Sequence, residues 1–286
     1  MNDIDFNQGS YYNITPPIPI NCKELDGQGY KLDNILSKFV CHLFSITVGD
    51  RITIKNIIFE ILGLACFSNS QTTALFYRKQ SSKGATFLNC DFRIKCKYRS
   101  TFGDIFANYI DGNFGDYMTF RQCIFNIEIS TTVSAGGISF LYRDRGNGST
   151  TKTGIYDSMI NINIVNSNVN DGGNIDIIHN SSNSNLGGSF IIENTGIIIN
   201  NDISRNIICF YDNGVALKVY NSYIVYNGVK NIIFHKSNFK SLCFYDSDKA
   251  NGKIVIDNNS NYFIPLTTEQ CKDAAYLESI GFVVST

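Results

Sequence analysis

Carboxylates, guanidinium groups and thiols are the side chains with which this chain could do chemistry. Asp104, Asp111 and Asp116 stand close together, Asp144 follows in the next segment, and Asp171 and Asp176 in the one after. Two carboxylates facing each other across a sugar ring are what glycoside hydrolysis requires. Asp111, Asp116 and Asp144 are therefore the candidate catalytic residues. Their neighbours are Gly and Asn ("DGNFGD", "DRGNGST"), which is also the ordinary composition of a turn. Arg143 and Arg145 flank Asp144 in "YRDRGNGST", and a pair of guanidinium forks can hold a carboxylate or an anionic sugar. With Tyr142 and Tyr109, whose rings offer an apolar face and a polar tip, they form the candidate ligand-binding set.

Metal and cofactor chemistry find less footing. The histidines are His42, His179 and His235, with no pair at zinc-ligand spacing. The nine cysteines contain no C-x-x-C and read as reduced structural thiols. No phosphate-cradling or dinucleotide fingerprint occurs. We expect no metal and no cofactor.

The elements that must position these residues are revealed by a repeat. "RITIKNIIFEI", "ATFLNCDFRI" and "YMTFRQCIFNI" follow one another at intervals of 33 residues. With Asn89 as anchor, equivalents fall at Asn21, Asn56, Gln122, Asp157, Asn194, Asn221 and Asn258. Three residues after the anchor come Phe59, Phe92 and Phe125, continued by Ile160, Ile197 and Ile224. A second series interleaves with the first: Ser45, Tyr77, Tyr109, Tyr142, His179, Tyr211 and Tyr245. Only the 221–245 stretch is irregular, and there "NIIFHKSNFKS" reads as an inserted extra strand.

Each unit contains short runs that alternate at period two, separated by Gly/Asn/Asp/Ser clusters, with no amphipathic helix between them. Parallel pairing without crossover helices leaves a coil whose turns stack about 4.8 Å apart. The expected fold is all-β: a single-stranded parallel β-helix of about seven to eight coils with repeats of ~34 residues. Residues 1–17 form its N-terminal cap, 18–264 the coil and 265–286 a C-terminal helical cap. In that fold Phe59, Phe92 and Phe125 form one stack. Asn56, Asn89, Asn194 and Asn221 bridge coil to coil through their amides. The cap helix starts at a Thr267/Gln270 capping box and plugs the last coil.

"INCKELDGQGY", "FLNCDFRI", "VYNSYIVYN" and "IENTGIIIN" resemble coils of the right-handed parallel β-helix superfamily, which includes pectate-lyase-like proteins and phage tailspikes. The resemblance covers about residues 18–264. Likeness to polysaccharide lyases would imply clustered carboxylates for calcium and an Arg or Lys base. Likeness to polygalacturonases would imply "NTD", "DD", "GHG" and "RIK" strings, and none is present. Likeness to tailspikes implies a structural or receptor-facing component of a phage tail or related contractile particle. Its partners would be other particle subunits, further copies of the chain (a trimer among the arrangements) and cell-surface polysaccharide.

Composition agrees with that expectation. Charged residues are 17% of the chain and the net charge is −1, which is no footprint for nucleic acid. No apolar run approaches the ~20 residues of a membrane span. The N-terminus "MNDIDFNQGS" lacks the pattern of a secretory signal. The expected route is synthesis in a bacterial cytoplasm and release within a particle. A polysaccharide-degrading enzyme and a carbohydrate-binding surface protein are the alternatives.

Overall fold

In a computed structural model the described residues are 4–5, 18–33, 44–46, 50–66, 76–78, 84–98, 102–108, 118–131, 137–143, 153–165, 174–180, 190–202, 207–212, 217–235, 239–257 and 261–283. The chain is all-β, and its paired strands run parallel. This is the arrangement of a parallel β-helix.

Three faces are formed. A ten-stranded sheet runs, in spatial order, through Ile4–Asp5, Lys31–Asp33, Ile58–Cys66, Asp91–Tyr98, Ile124–Thr131, Met159–Val165, Gly196–Asn201, Tyr223–Gly228, Cys243–Asp246 and Phe263–Leu266. A seven-stranded sheet is built from the strand that precedes each bend, such as Ala85–Leu88 and Thr119–Arg121. The third face has six strands from Phe102–Asn108 to Ile254–Asp257, with a three-stranded sheet ending at Phe76–Arg78 lying against its first strand.

Register explains the repeat. Phe59 pairs with Phe92, Phe92 with Phe125, Phe125 with Ile160, Ile160 with Ile197 and Ile197 with Ile224. In-register parallel strands set like on like, so a flat ring lies on a flat ring. Phe59–Phe92 and Phe92–Phe125 centroids are each 5.0 Å apart, at 5° and 7°. A second stack, Phe87 on Phe120 at 4.9 Å, comes from the seven-stranded face. It meets the first edge-on, with Phe92 and Phe120 at 81°. Ile94, Ile127, Ile162 and Ile199 continue the same buried interior. Alternating exposed residues such as Arg93, Lys95 and Asn126 point outward, as the pleat requires.

Several expectations are corrected by the register. Ala107, not Tyr109, pairs with Tyr142, and Tyr142 then pairs with His179 and His179 with Tyr211. Tyr245 belongs to a different face: it pairs with Ile224 in the ten-stranded sheet. "CFY" at 243–245 is thus a chance likeness to "CFY" at 209–211. Ile232–His235 is no insertion but an ordinary strand of the six-stranded sheet, between Ile207–Asp212 and Ile254–Asp257. The irregularity arises because the last turns are short. Ile224 and Tyr245 are 21 residues apart, and Tyr245 and Pro265 are 20.

After a one-turn helix α1 (Ser247–Ala250), the C-terminal helix is two short helices, α2 (Thr268–Lys272) and α3 (Ala274–Ser279). Thr267 caps the first in a capping box with Gln270, and Asp273 ends it while capping the second. An Asp whose carboxylate accepts the Tyr276 N–H at 3.0 Å restarts the helix at a new angle. These helices do not plug the coil axially. With Phe282 they pack on the outer side of the ten-stranded sheet, against Phe244 and Leu266. At the other end, Ile4–Asp5 pairs with Leu32–Asp33.

Phe92 is fully buried and touches rings on three sides. Phe92→Ala should cost about 3–5 kcal/mol, read as a lowered denaturation midpoint. Phe92→Asp should yield no soluble folded protein, because the carboxylate would be buried without a partner.

Candidate functional site

The feature that every turn repeats is the bend between the seven-stranded and ten-stranded faces. Its first residue has a left-handed backbone in each case: Asn56 (φ 55°), Asn89 (52°), Gln122 (53°), Asp157 (49°), Asn194 (50°) and Asn221 (40°). Asn and Asp tolerate this conformation best among non-glycine residues, which is why they dominate the column. In the first turn the left-handed residue is Gln28, not Asn21: Gln28 lies between Glu24–Asp26 and Lys31–Asp33, the strands of the two faces, whereas Asn21 precedes the first of them. Asn258 lies outside the described residues.

The left-handed twist lets the sheet hydrogen bonds pass through the corner unbroken. Each corner N–H donates to the next turn, as Asn89 does to the Arg121 carbonyl at 3.0 Å and Asp157 to the Glu193 carbonyl at 3.0 Å. The following residue turns inward; after Asn56 it is the buried Ile57, and from Cys90 to Ser222 it is small and able to donate. Ser158, Thr195 and Ser222 donate to the carbonyl two residues back at 2.6, 2.9 and 2.7 Å. Cys90 and Cys123 make the same contact through sulfur at 3.5 and 3.3 Å. The hydroxyls also accept an N–H from the preceding turn, Cys123 N–H to Ser158 Oγ at 3.0 Å.

Outside the corner the amides form a ladder. Asn56 Nδ2 donates to Asp26 at 3.0 Å and Asn89 Nδ2 to Asn56 at 2.9 Å. Asn194 Nδ2 donates to Asp157 at 2.9 Å and Asn221 Nδ2 to Asn194 at 2.7 Å. Every bond points toward the N-terminal turns, and a carboxylate, which only accepts, ends each run. The bonds from Asn56 Nδ2 and the Gln28 N–H hold the Asp26 carboxyl below its ordinary 3.8. That contribution is present above 3.8 and fades as the pH falls below it.

Beside this ladder lies a groove. Its larger part has a volume of about 780 Å³ and runs from Gln122 past Met159, Gly196 and Tyr223 to Phe282 and Val283. Its smaller part, about 340 Å³, continues from Gln122 and Ile124 to Asp91 and Asn56. The floor is the outward column two residues after the corner. It reads Ile124, Met159, Gly196, Tyr223 and Phe244 in register, where an outer face would usually be polar. Gly196 is needed because the Tyr223 ring lies 2.5 Å from where a Cβ would stand. Tyr223 Oη reaches Met159 Sδ at 3.7 Å. Of the two carboxylates in the larger part, Asp157 accepts from Asn194 and Asp246 accepts from Thr268 Oγ1 at 2.9 Å and the Lys249 N–H at 2.9 Å.

Of the residues singled out for chemistry, neither of the two described ones lines the groove. Tyr142 and Arg143 are in the strand Gly137–Arg143, with Arg143 in register with Asn108 and Asn180. Tyr109, Asp111, Asp116, Asp144 and Arg145 fall outside the described residues. Among the described residues no cluster of three His, Cys, Asp or Glu is placed to hold a metal, and no helix is long and apolar enough to cross a membrane. The groove was missed in the sequence. Its signal was the run Ile124, Met159, Gly196 and Tyr223 two places after the anchors Gln122, Asp157, Asn194 and Asn221. Comparison with protein-family models, with curated proteins and with solved structures finds no match.

Two outcomes follow. Asn194→Ala loses two amide bonds and the tolerance of the left-handed region that Asn has and Ala lacks. It should lower stability by about 2–3 kcal/mol, and Asn194→Gly by about 1 kcal/mol, in equilibrium denaturation. Burial pushes the Cys123 thiol upward and that of Cys243 to about 12. Cys90, Cys123 and Cys243 are buried and Cys22 is partly exposed, so at pH 8 iodoacetamide should label Cys22 first and the other three only after denaturation, as read by peptide mass spectrometry.

Proposed function

We propose that this chain is a non-catalytic structural or receptor-facing subunit of a bacteriophage tail or phage-tail-like contractile particle. It is built as a single-stranded, right-handed, pectate-lyase-like β-helix of seven to eight full coils. Its residues 1–17 serve as a cap, and 265–286 cover the outer side of the last turns. Partners in this reading are other particle subunits and further copies of the chain, a homotrimer among them. Cell-surface polysaccharide is the surface the particle meets.

The observation that supports it best is the corner ladder. Asn56, Asn89, Asn194 and Asn221 each spend their amide on the neighbouring turn. The two carboxylates in the larger groove are likewise held by hydrogen bonds within the chain. A polar surface committed to joining turns makes a stiff rod, which is what a load-bearing particle component requires. Low charge (17%) suits lateral packing against partners.

The reading is tested by incubating the purified chain with bacterial capsular and lipopolysaccharide glycans. We expect no new reducing ends and no unsaturated sugar products. Turnover that disappears on changing Asp111, Asp116 or Asp144 would replace it with a hydrolase or lyase.

A further inference from the structure

The amide ladder has one break, and the groove passes over it. Gln122 occupies the left-handed corner between the two runs, yet among the described residues its carboxamide makes no hydrogen bond, and it is exposed. On one side Asn89 donates its Nδ2 toward Asn56, and among the described residues its Oδ1 receives no donor. On the other side stands Asp157, which can only accept. Both parts of the groove meet at Gln122 and Ile124, and Ile124 is an exposed apolar side chain at 46%.

What a ladder amide does when its neighbouring turn supplies no amide is visible at the C-terminal end. The residue after Asn221 in the column is Leu242, by the pairing of Tyr223 with Phe244. There the chain's own segment Gly281–Val283 takes the vacant place. The Val283 N–H donates to Asn221 Oδ1 at 3.1 Å and Asn221 Nδ2 donates to the Val283 carbonyl at 3.2 Å. One carboxamide thus grips both main-chain groups of a single residue. The adjacent Phe282 sets its ring edge-on against Phe244 at 4.7 Å, on the same outward column that forms the groove floor.

We propose that the groove binds an extended, apolar peptide strand from another polypeptide, gripped at Gln122 as Val283 is gripped at Asn221. The main chain pairs with the Gln122 carboxamide, and an apolar side chain rests on Ile124 and Met159. Gln122 lies three turns from Asn221, about 14 Å at strand spacing, a length spanned by about four extended residues. The groove therefore holds a short segment beyond the intramolecular one. The recognition resembles strand addition in using main-chain bonds for affinity and side-chain seats for selectivity. It does not depend on the particle reading.

The test uses the intact chain and a fluorescein-labelled peptide Ser-Ile-Gly-Phe-Val-Val, the sequence of residues 279–284, followed by fluorescence anisotropy. We expect saturable binding, weakened about tenfold by Gln122→Ala and abolished by Ile124→Asp. Both side chains are exposed, so thermal unfolding of the variants should match the parent. N-methylation of the first Val of the peptide keeps its side chains and should also abolish binding. Four results would overturn the proposal. They are no saturation at millimolar peptide, undiminished binding to Gln122→Ala, undiminished binding of the N-methylated peptide, or Gln122-dependent binding of a neutral oligosaccharide in place of the peptide.

Discussion

One constraint governs the coil: from Gln28 to Asn221 the chain enters a left-handed backbone conformation at the same point of each successive turn. Only then can parallel strands on two faces keep their hydrogen bonds across the corner. The six central corner residues have φ between 40° and 55°, and their N–H groups reach the next turn at about the distance of ordinary sheet bonds. A side chain that tolerates this backbone is short and polar, so the conformational demand brings amides into a column. Once in a column at strand spacing, they bond to one another. The ladder is thus a consequence of the bend as much as a reinforcement of it.

The interior follows from the same register. Because each turn repeats the last with no slip across the corner, Phe59, Phe92 and Phe125 stack face to face, and from Cys90 to Ser222 the inward residue beside the bend is a small donor. Thiol and hydroxyl are interchangeable there. Cys90 and Cys123 contact the same carbonyl position as Ser158, Thr195 and Ser222. This accounts for at least part of the cysteine content without redox or metal chemistry. The ring stacks run along the coil and lock the two faces edge-on, so stiffness arises from periodicity and not from any single contact.

The outer face departs from this economy in one strip. Beside the corner, apolar residues stand where a solvated face would be polar, and the C-terminal segment covers only their last few turns. α2 and α3 bring Leu277 and Phe282 onto Phe244 and Leu266, and Asn221 fixes the segment through its carboxamide. The uncovered turns carry Ile124, Met159 and the unpaired Gln122. A strip that is covered at one end by the chain's own main chain is shaped for the same kind of contact along its length.

The period of 33 to 37 residues, the Phe and Ile column, the Asn corners and the Thr267 capping box were legible in the amino-acid order, because each depends on local backbone preference or on like residues recurring. What the order alone did not decide was which recurrences share a face. Tyr109 and Tyr245 look like members of the Tyr142 series. Pairing places Ala107 beside Tyr142, and puts Tyr245 on another sheet. Loop lengths vary between turns and the last turns shorten to about 20 residues, so spacing drifts from register. Likewise, nothing local to residues 267–283 dictates whether they close the end of the coil or lie along its flank. That was settled by tertiary packing, where Phe244 and Leu266 offered an apolar seat on the outside and Asn221 offered the two hydrogen bonds that hold the chain there.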